Sequence, residues 1–201
     1  MEKTKILVVF YSMTGNVAKL ARVVEEGAKE VGAEVRLRQV QELIHKEKMS
    51  DDIKKVKEEL KDIPIATNKD LEWADGIAFG TPTRYGNMSS QLKQFIDQTG
   101  GLWMKGALIN KVATVFTSAS TQHGGHETTI LTSIAPLLHH GMIIIGVPYS
   151  EKRLMEDKEI SGGGPYGASS VSIVSNGPTK NELEIAKTQG RRLAEITKKM
   201  R

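Results

Sequence analysis

Ile6-Leu7-Val8-Val9-Phe10-Tyr11-Ser12-Met13-Thr14-Gly15-Asn16-Val17-Ala18-Lys19-Leu20 is the stretch whose reading decides the fold. Its first five residues form an unbroken apolar run. Such a run suits a strand buried on both faces of a parallel sheet. After a short polar turn, Val17, Leu20, Ala21, Val24, Ala28 and Val31 recur at helical spacing along one face. Gly32 stands where a helix stop belongs. A strand that feeds a helix through a turn of Ser, Thr, Gly and Asn opens an α/β chain.

The same alternation continues. Val35 and Leu37 alternate with Arg36 and Arg38, the pattern of a half-exposed edge strand. Residues 46–62 are dense in Lys, Glu and Asp, yet Ile53, Val56, Leu60 and Ile63 keep a helical stripe. Ser50 before Asp51 and Asp52 caps that helix, Pro64 ends it, and the reading is a solvated surface helix. Gly76–Gly80 is a central strand, 89–97 a helix with Leu92, Phe95 and Ile96 inward, and Lys111–Ser118 a fourth strand. Residues 127–140 are helical, Met142–Gly146 is a fifth strand, and Thr179 with Glu182 forms a capping box for a last helix. The expectation is one domain over 1–201: an α/β, doubly wound, five-stranded parallel sheet with helices on both faces. Right-handed crossovers and the edge-like second strand give it the order 2-1-3-4-5. The stretch 147–178 has no clear periodicity and reads as a long functional or interfacial loop.

Composition narrows the class. The chain has 28 Lys and Arg against 24 Asp and Glu, a net charge of +4, and the charges are interleaved, with no basic block to serve as a nucleic-acid face. No run of apolar residues reaches membrane-span length, and Ile6–Phe10 is too short for a signal-peptide core, so a cytoplasmic location is expected. With no cysteine, the chain has no disulfide, thiolate metal site or cysteine nucleophile. His123, His126, His139 and His140 are framed by no carboxylate pattern, so no metal is expected. His139-His140-Gly141 also has the form of a helix C-terminus.

In a sheet of this order, ligands sit beyond the carboxyl ends of the strands where the order reverses. Three loops with distinctive chemistry meet there. The first, Ser12-Met13-Thr14-Gly15-Asn16-Val17, offers backbone N–H groups at a helix start, hydroxyls and no cation. It is neither a nucleotide-hydrolase phosphate loop nor a dinucleotide turn, and it suits a phosphate monoester held by neutral donors. The second, around Thr83, Arg84 and Tyr85, combines an aromatic ring, a guanidinium and turn residues. The third, Ser118-Ala119-Ser120-Thr121-Gln122-His123 leading to Gly124-Gly125, supplies polar donors with little bulk. Gly100-Gly101-Leu102-Trp103-Met104 reads as a loop whose indole either joins the core or walls a flat-ring site.

Together these stretches, with His139-His140-Gly141-Met142 and Gly164-Pro165-Tyr166-Gly167-Ala168, resemble the WrbA-type NAD(P)H:quinone oxidoreductases, a flavodoxin-like family. The resemblance spans nearly the whole chain. It implies a non-covalent flavin mononucleotide (FMN), its phosphate on Ser12–Val17, its ring on Thr83, Arg84, Tyr85 and Ser118–His123, and a further contact from His139. It also associates Met13 with the nicotinamide nucleotide and Trp103 with the substrate ring. It implies a homotetramer with sites at subunit junctions, and a ping-pong, two-electron reduction of quinones by NAD(P)H in which no side chain need act as a proton-transfer catalyst. Gln122-His123 and Met13 depart from the family's usual glycine-rich and aromatic choices. An electron-carrier flavodoxin and a flavin-sensing, partner-binding protein are the alternatives. Carriers usually present an acidic face, and this chain is net basic.

Overall fold

The computed structural model describes residues 2–172 and 177–201. Its sheet contains β1 (Lys5–Phe10), β2 (Glu34–Gln39), β3 (Gly76–Pro82), β4 (Val112–Ala119), β5 (Ile143–Ile144) and β6 (Ser169–Val171). All pairings are parallel and the order is β2-β1-β3-β4-β5, with β6 also paired to β4. The expected doubly wound order is therefore present. The helices are α1 (Asn16–Glu30), α2 (Asp51–Leu60), α3 (Asn68–Trp73), α4 (Ser90–Asp97), α5 (Gly100–Met104), α6 (His126–His139) and α7 (Lys180–Met200).

Two apolar layers sandwich the sheet. On one face, Leu7, Val9, Ile77, Phe79 and Val115 pack against α3, α4 and α6 through Leu71, Leu92 and Ile130. On the other, Ile6, Val8, Phe10 and Phe116 pack against α1 and α7 through Leu20, Val24, Ile185 and Leu193. The alternation of β1 side chains between these two clusters is the reason its sequence is apolar at every position. Where α1 and α7 cross, the backbones touch: a Cβ on Gly27 would lie 2.0 Å from the Lys187 carbonyl oxygen, and one on Gly190 2.0 Å from that of Val24.

Four features differ from the reading of the sequence. The fifth strand is split, which accounts for the sixth element. Ile143–Ile144 pairs with Val112–Ala113, the chain leaves, and Ser169–Val171 returns to pair with Thr117–Ala119. Over the gap, the buried Gln189 of α7 donates to the Val115 carbonyl (2.8 Å) and to Thr114 Oγ1 (2.5 Å) and accepts from Ala168 N (2.7 Å). One side chain thus satisfies backbone groups that a continuous strand would have paired. The loop 147–178 therefore contains a strand and a short 3-10 turn at Lys152–Met155; residues 173–176 of it lie outside the described residues. Glu182 secures its return, accepting from the amides of Gly162 (2.7 Å), Val171 (2.8 Å) and Thr179 (2.8 Å).

Second, Gly100–Met104 is a short helix rather than a loop. Its glycines are tolerated because tertiary contacts hold it: the Trp103 indole N–H donates to the His139 carbonyl at 3.0 Å. Third, α3 is an added helix, closed by a capping box in which Asp70 also pairs with Arg36 and Arg38 on the edge strand β2. Fourth, the charged segment 46–62 divides into a 3-10 turn at Lys46–Lys48 and α2, with Ser50 accepting from Ile53 N as the cap. That helix is not merely a solvated surface; it lies against the first loop.

Candidate functional site

The first loop leaves β1 at Tyr11 and enters α1 at Asn16. Gly15, with φ 90°, occupies the left-handed region that a side chain would strain, and it turns the chain into the helix. Ser12 is buried, and its Oγ accepts from the Ala18 amide at 3.2 Å. Asn16 Nδ2 reaches Thr14 Oγ1 at 3.4 Å. Among the described residues, the amides of Met13, Thr14, Gly15, Asn16 and Val17 donate to no protein acceptor. A row of unpaired N–H groups at the positive end of a fifteen-residue helix is an anion seat.

Behind this loop lies a set of side chains that no sequence motif marks. Lys57 of α2 donates to the Ser12 carbonyl (2.8 Å), pairs with Glu42 (2.6 Å) and lies 4.3 Å from the centroid of the Tyr11 ring. The Tyr11 hydroxyl donates to Glu42 (2.9 Å), as do Gln91 Nε2 (3.0 Å) and the amides of Leu43 (2.9 Å) and Ile44 (3.0 Å). Burial opposes ionisation of Glu42, but these donors and the Lys57 charge prevail and hold its carboxyl at about 2. Burial, and then the Glu42 carboxylate, push the Tyr11 hydroxyl well above its usual value. The network is thus a fixed ion pair with a neutral phenol. One signal was available: Lys57 falls in the same i, i+4, i+7 row as Ile53 and Leu60, the inward stripe of α2.

The second loop is a tight hairpin. Arg84 and Asn87 exchange backbone hydrogen bonds of 2.7 and 3.0 Å, and Tyr85 and Gly86 between them both have positive φ, 53° and 76°. Two left-handed residues form the turn type that matches strand twist. Tyr85 is held in a strained conformation with its ring fully in solvent. Arg84 donates to the Thr83 carbonyl (2.9 Å) and places its other nitrogen 3.2 Å from Met13 Sδ, joining the second loop to the first. The third loop joins the second through Thr83 N to the Ser118 carbonyl (2.9 Å) and Thr129 Oγ1 to Thr83 Oγ1 (2.7 Å). Ser118 and Ala119 are buried at the end of β4, whereas Ser120, Thr121, Gln122 and His123 are exposed. His126 closes this loop with Nε2 3.0 Å from the Thr121 carbonyl, and burial lowers its pKa.

Two clefts flank the loops. One, of about 620 Å³, lies between Met13, Leu43, Ile44, Arg84, Met88 and Gln91. The other, of about 370 Å³, lies between His123 and His126 on one side and Ser161, Gly163 and Tyr166 on the other. Trp103 and His139 are in neither. Both precede the strands: Asn110 N donates to the Gly141 carbonyl (3.0 Å) just before β4 and β5 begin. The three loops follow the strands. The length of β4, about 25 Å for its eight residues, separates the two sets. A single chain brings Ser12–Val17, Thr83–Tyr85 and Ser118–His123 to one edge and leaves Trp103 and His139 at the other.

An anion seat and two polar loops at the carboxyl edge of a doubly wound 2-1-3-4-5 sheet define a flavodoxin-like protein. The solved structures agree on the fold. The flavodoxin, WrbA-like protein from Agrobacterium tumefaciens superposes with a TM-score of 0.69 at 23% identity, covering 99% of this chain and 100% of that one. Flavodoxin 2 from Bacillus cereus has a TM-score of 0.59 at 17% identity over 96% and 99%. The chain belongs to the NADPH-dependent FMN reductase family, whose model matches residues 4–151. Curated relatives named NAD(P)H dehydrogenase (quinone) are 50% identical: one from Aromatoleum aromaticum over 96% of this chain and 95% of its own, one from Geotalea daltonii over 98% of each.

Proposed function

We propose that this chain is an FMN-dependent NAD(P)H:quinone oxidoreductase that works as a homotetramer in the cytoplasm, the compartment that holds its donor. The observation that carries the cofactor is the row of unpaired amides from Met13 to Val17, the donor set a phosphate monoester requires. Half-identical relatives named for the quinone reaction supply its direction. When bound, FMN would supply the hydride-accepting and two-electron-donating chemistry.

The chain's own residues do the rest. Ser12, Thr14 and Asn16 add side-chain donors to the amides of the phosphate seat. Thr83, Arg84 and Tyr85 hold one side of the ring seat, and Ser118, Ala119, Ser120, Thr121, Gln122 and His123 the other. Arg84, kept in place by Thr83 and Met13, sets a fixed positive charge beside that seat. The larger cleft, with Met13 in its wall, receives the nicotinamide donor. Trp103 and His139 reach the site from a neighbouring copy. The support for that assembly is an uncovered stripe on α6, Thr128, Leu131, Ala135 and Leu138, continuous in type with exposed Trp103, Met104 and Ile109.

The test is a spectrum of the purified protein with FMN, then with NADH or NADPH, then with benzoquinone. The expected result is tight FMN binding, bleaching by the nucleotide, recovery by the quinone and steady turnover with both. Bleaching without turnover would indicate a carrier, and no FMN binding would remove the proposal altogether.

A further inference from the structure

The phosphate seat is not self-supporting. Its amides are held by nothing inside the loop, and the loop contains no cation. Arg84 reaches the Met13 side chain from outside, and what grips the loop's backbone is Lys57, through the Ser12 carbonyl at 2.8 Å. All peptide bonds of the described chain are trans, and in a trans peptide the C=O and N–H point in opposite directions. Holding the Ser12 oxygen toward α2 therefore aims the Met13 N–H away from α2, where it has no partner among the described residues. Val56, one residue earlier, sits below Gly15 at van der Waals distance from where a Cβ would be, 3.8 Å. Lys57 is itself held by Glu42, and Glu42 by Tyr11, Gln91 and two loop amides. Paired in this way it carries little net charge to a ligand. Its effect is one of direction.

We infer that Lys57, fixed by Glu42, is a positioning residue for FMN binding: it locks the Ser12–Met13 peptide so that the first loop presents its amides to the phosphate. The inference rests on the FMN reading above and goes beyond it, because it assigns the affinity for the phosphate partly to a helix outside the three loops.

The experiment titrates FMN-free protein with FMN and with riboflavin, which has the ring and ribityl chain but no phosphate, following flavin fluorescence. In Lys57→Met the FMN dissociation constant should rise about tenfold, the worth of one charge-assisted hydrogen bond. Riboflavin affinity should stay within about twofold, and Lys57→Arg, which keeps a donor for both the carbonyl and Glu42, should restore FMN binding. Glu42→Gln should raise the FMN constant about threefold and leave riboflavin unchanged. Equal FMN affinity in Lys57→Met and wild type overturns the inference, as does a parallel loss of FMN and riboflavin, which marks a general strut. If Lys57→Met does not fold, Glu42→Gln decides: wild-type FMN affinity in that variant overturns it. Wild-type protein that binds neither flavin removes the cofactor reading itself, a result distinct from all of these.

Discussion

The two edges of the sheet are built on different terms. At the carboxyl edge, three loops are tied together inside one chain: Met13 to Arg84, Thr83 to Ser118 and Thr129, Ser12 to Lys57. At the amino edge, the Trp103 side chain makes one hydrogen bond, to the His139 carbonyl, and the residue is left 55% exposed, as Met104, Ile109 and Leu138 are also exposed. The first edge is finished within the chain; the second exposes an apolar surface and is unfinished in the isolated chain. The lesson is that one chain gathers the three loops without help, while Trp103 and His139, some 25 Å away, meet them under the proposal above only through a second copy.

Charging the unfinished edge should break the contrast most severely. Leu131→Glu with Leu138→Glu puts two carboxylates into the uncovered stripe of α6, where burial without partners is prohibitive. The expected outcome is a smaller species by light scattering and a loss of NADH–benzoquinone turnover of about a hundredfold, the scale set by misplaced site walls. FMN affinity should fall far less, because the seat on Ser12–Val17 stays within the chain. A dispersed variant with full turnover would show that Trp103 and His139 are not needed from a second copy.

The finished edge should reveal itself through acid. Glu42 is held at about 2 in the folded protein, against about 4.3 in the unfolded chain. A depressed carboxyl stabilises the native state above the unfolded value, and that stability is lost as pH falls from about 4.3 toward 2. At neutral pH this is about 3 kcal/mol before screening, and of the order of 2 kcal/mol once discounted for the partial exposure of Glu42. Glu42→Gln should therefore melt about 5 °C lower than wild type at pH 7, the difference shrinking below about pH 4.3 and the two converging only near pH 2. A constant difference across that window would mean that the Lys57–Glu42 pair does not anchor the loop.

What was legible in the sequence follows the same divide. Local signals are legible because they have local causes: the apolar run of β1, the stripe of α1, the Ser50 cap, and the Thr179–Glu182 capping box. The order of the sheet followed from alternation and from the half-exposed Arg36 and Arg38. Features made by long-range partners were not visible. Ser169-Ser170-Val171 is too short to read as a strand, and it becomes one only because β4 has open positions beyond β5. Gly100-Gly101 reads as a loop, and the helix there depends on His139, thirty-odd residues away. The three loops gathered at the carboxyl edge are legible as turn chemistry; Lys57 is legible only as a member of the α2 stripe, and its pairing with Glu42 is not, because Glu42 lies in a loop whose partners are set by tertiary packing.

The smallest expected effect concerns the tip of the second loop, and it asks whether strain there serves the site. Tyr85 sits at φ 53°, which costs a residue with a Cβ about 1 kcal/mol, and its ring buries nothing in the isolated chain. Tyr85→Gly relieves that cost but adds unfolded-state entropy of nearly the same size, so the melting temperature should move by no more than about 2 °C. A residue with no stake in stability would then be expected to leave flavin binding alone. If instead the phenol edges a ring held by Thr83 and Arg84, the variant should bind FMN about fivefold more weakly, the worth of one aromatic contact. Riboflavin should weaken equally, since the lost contact is to the ring and not the phosphate. That pattern is the reverse of the one expected for Lys57, and the two variants together separate what holds each end of the cofactor. Unchanged affinity for both flavins would leave Tyr85 outside the ring seat.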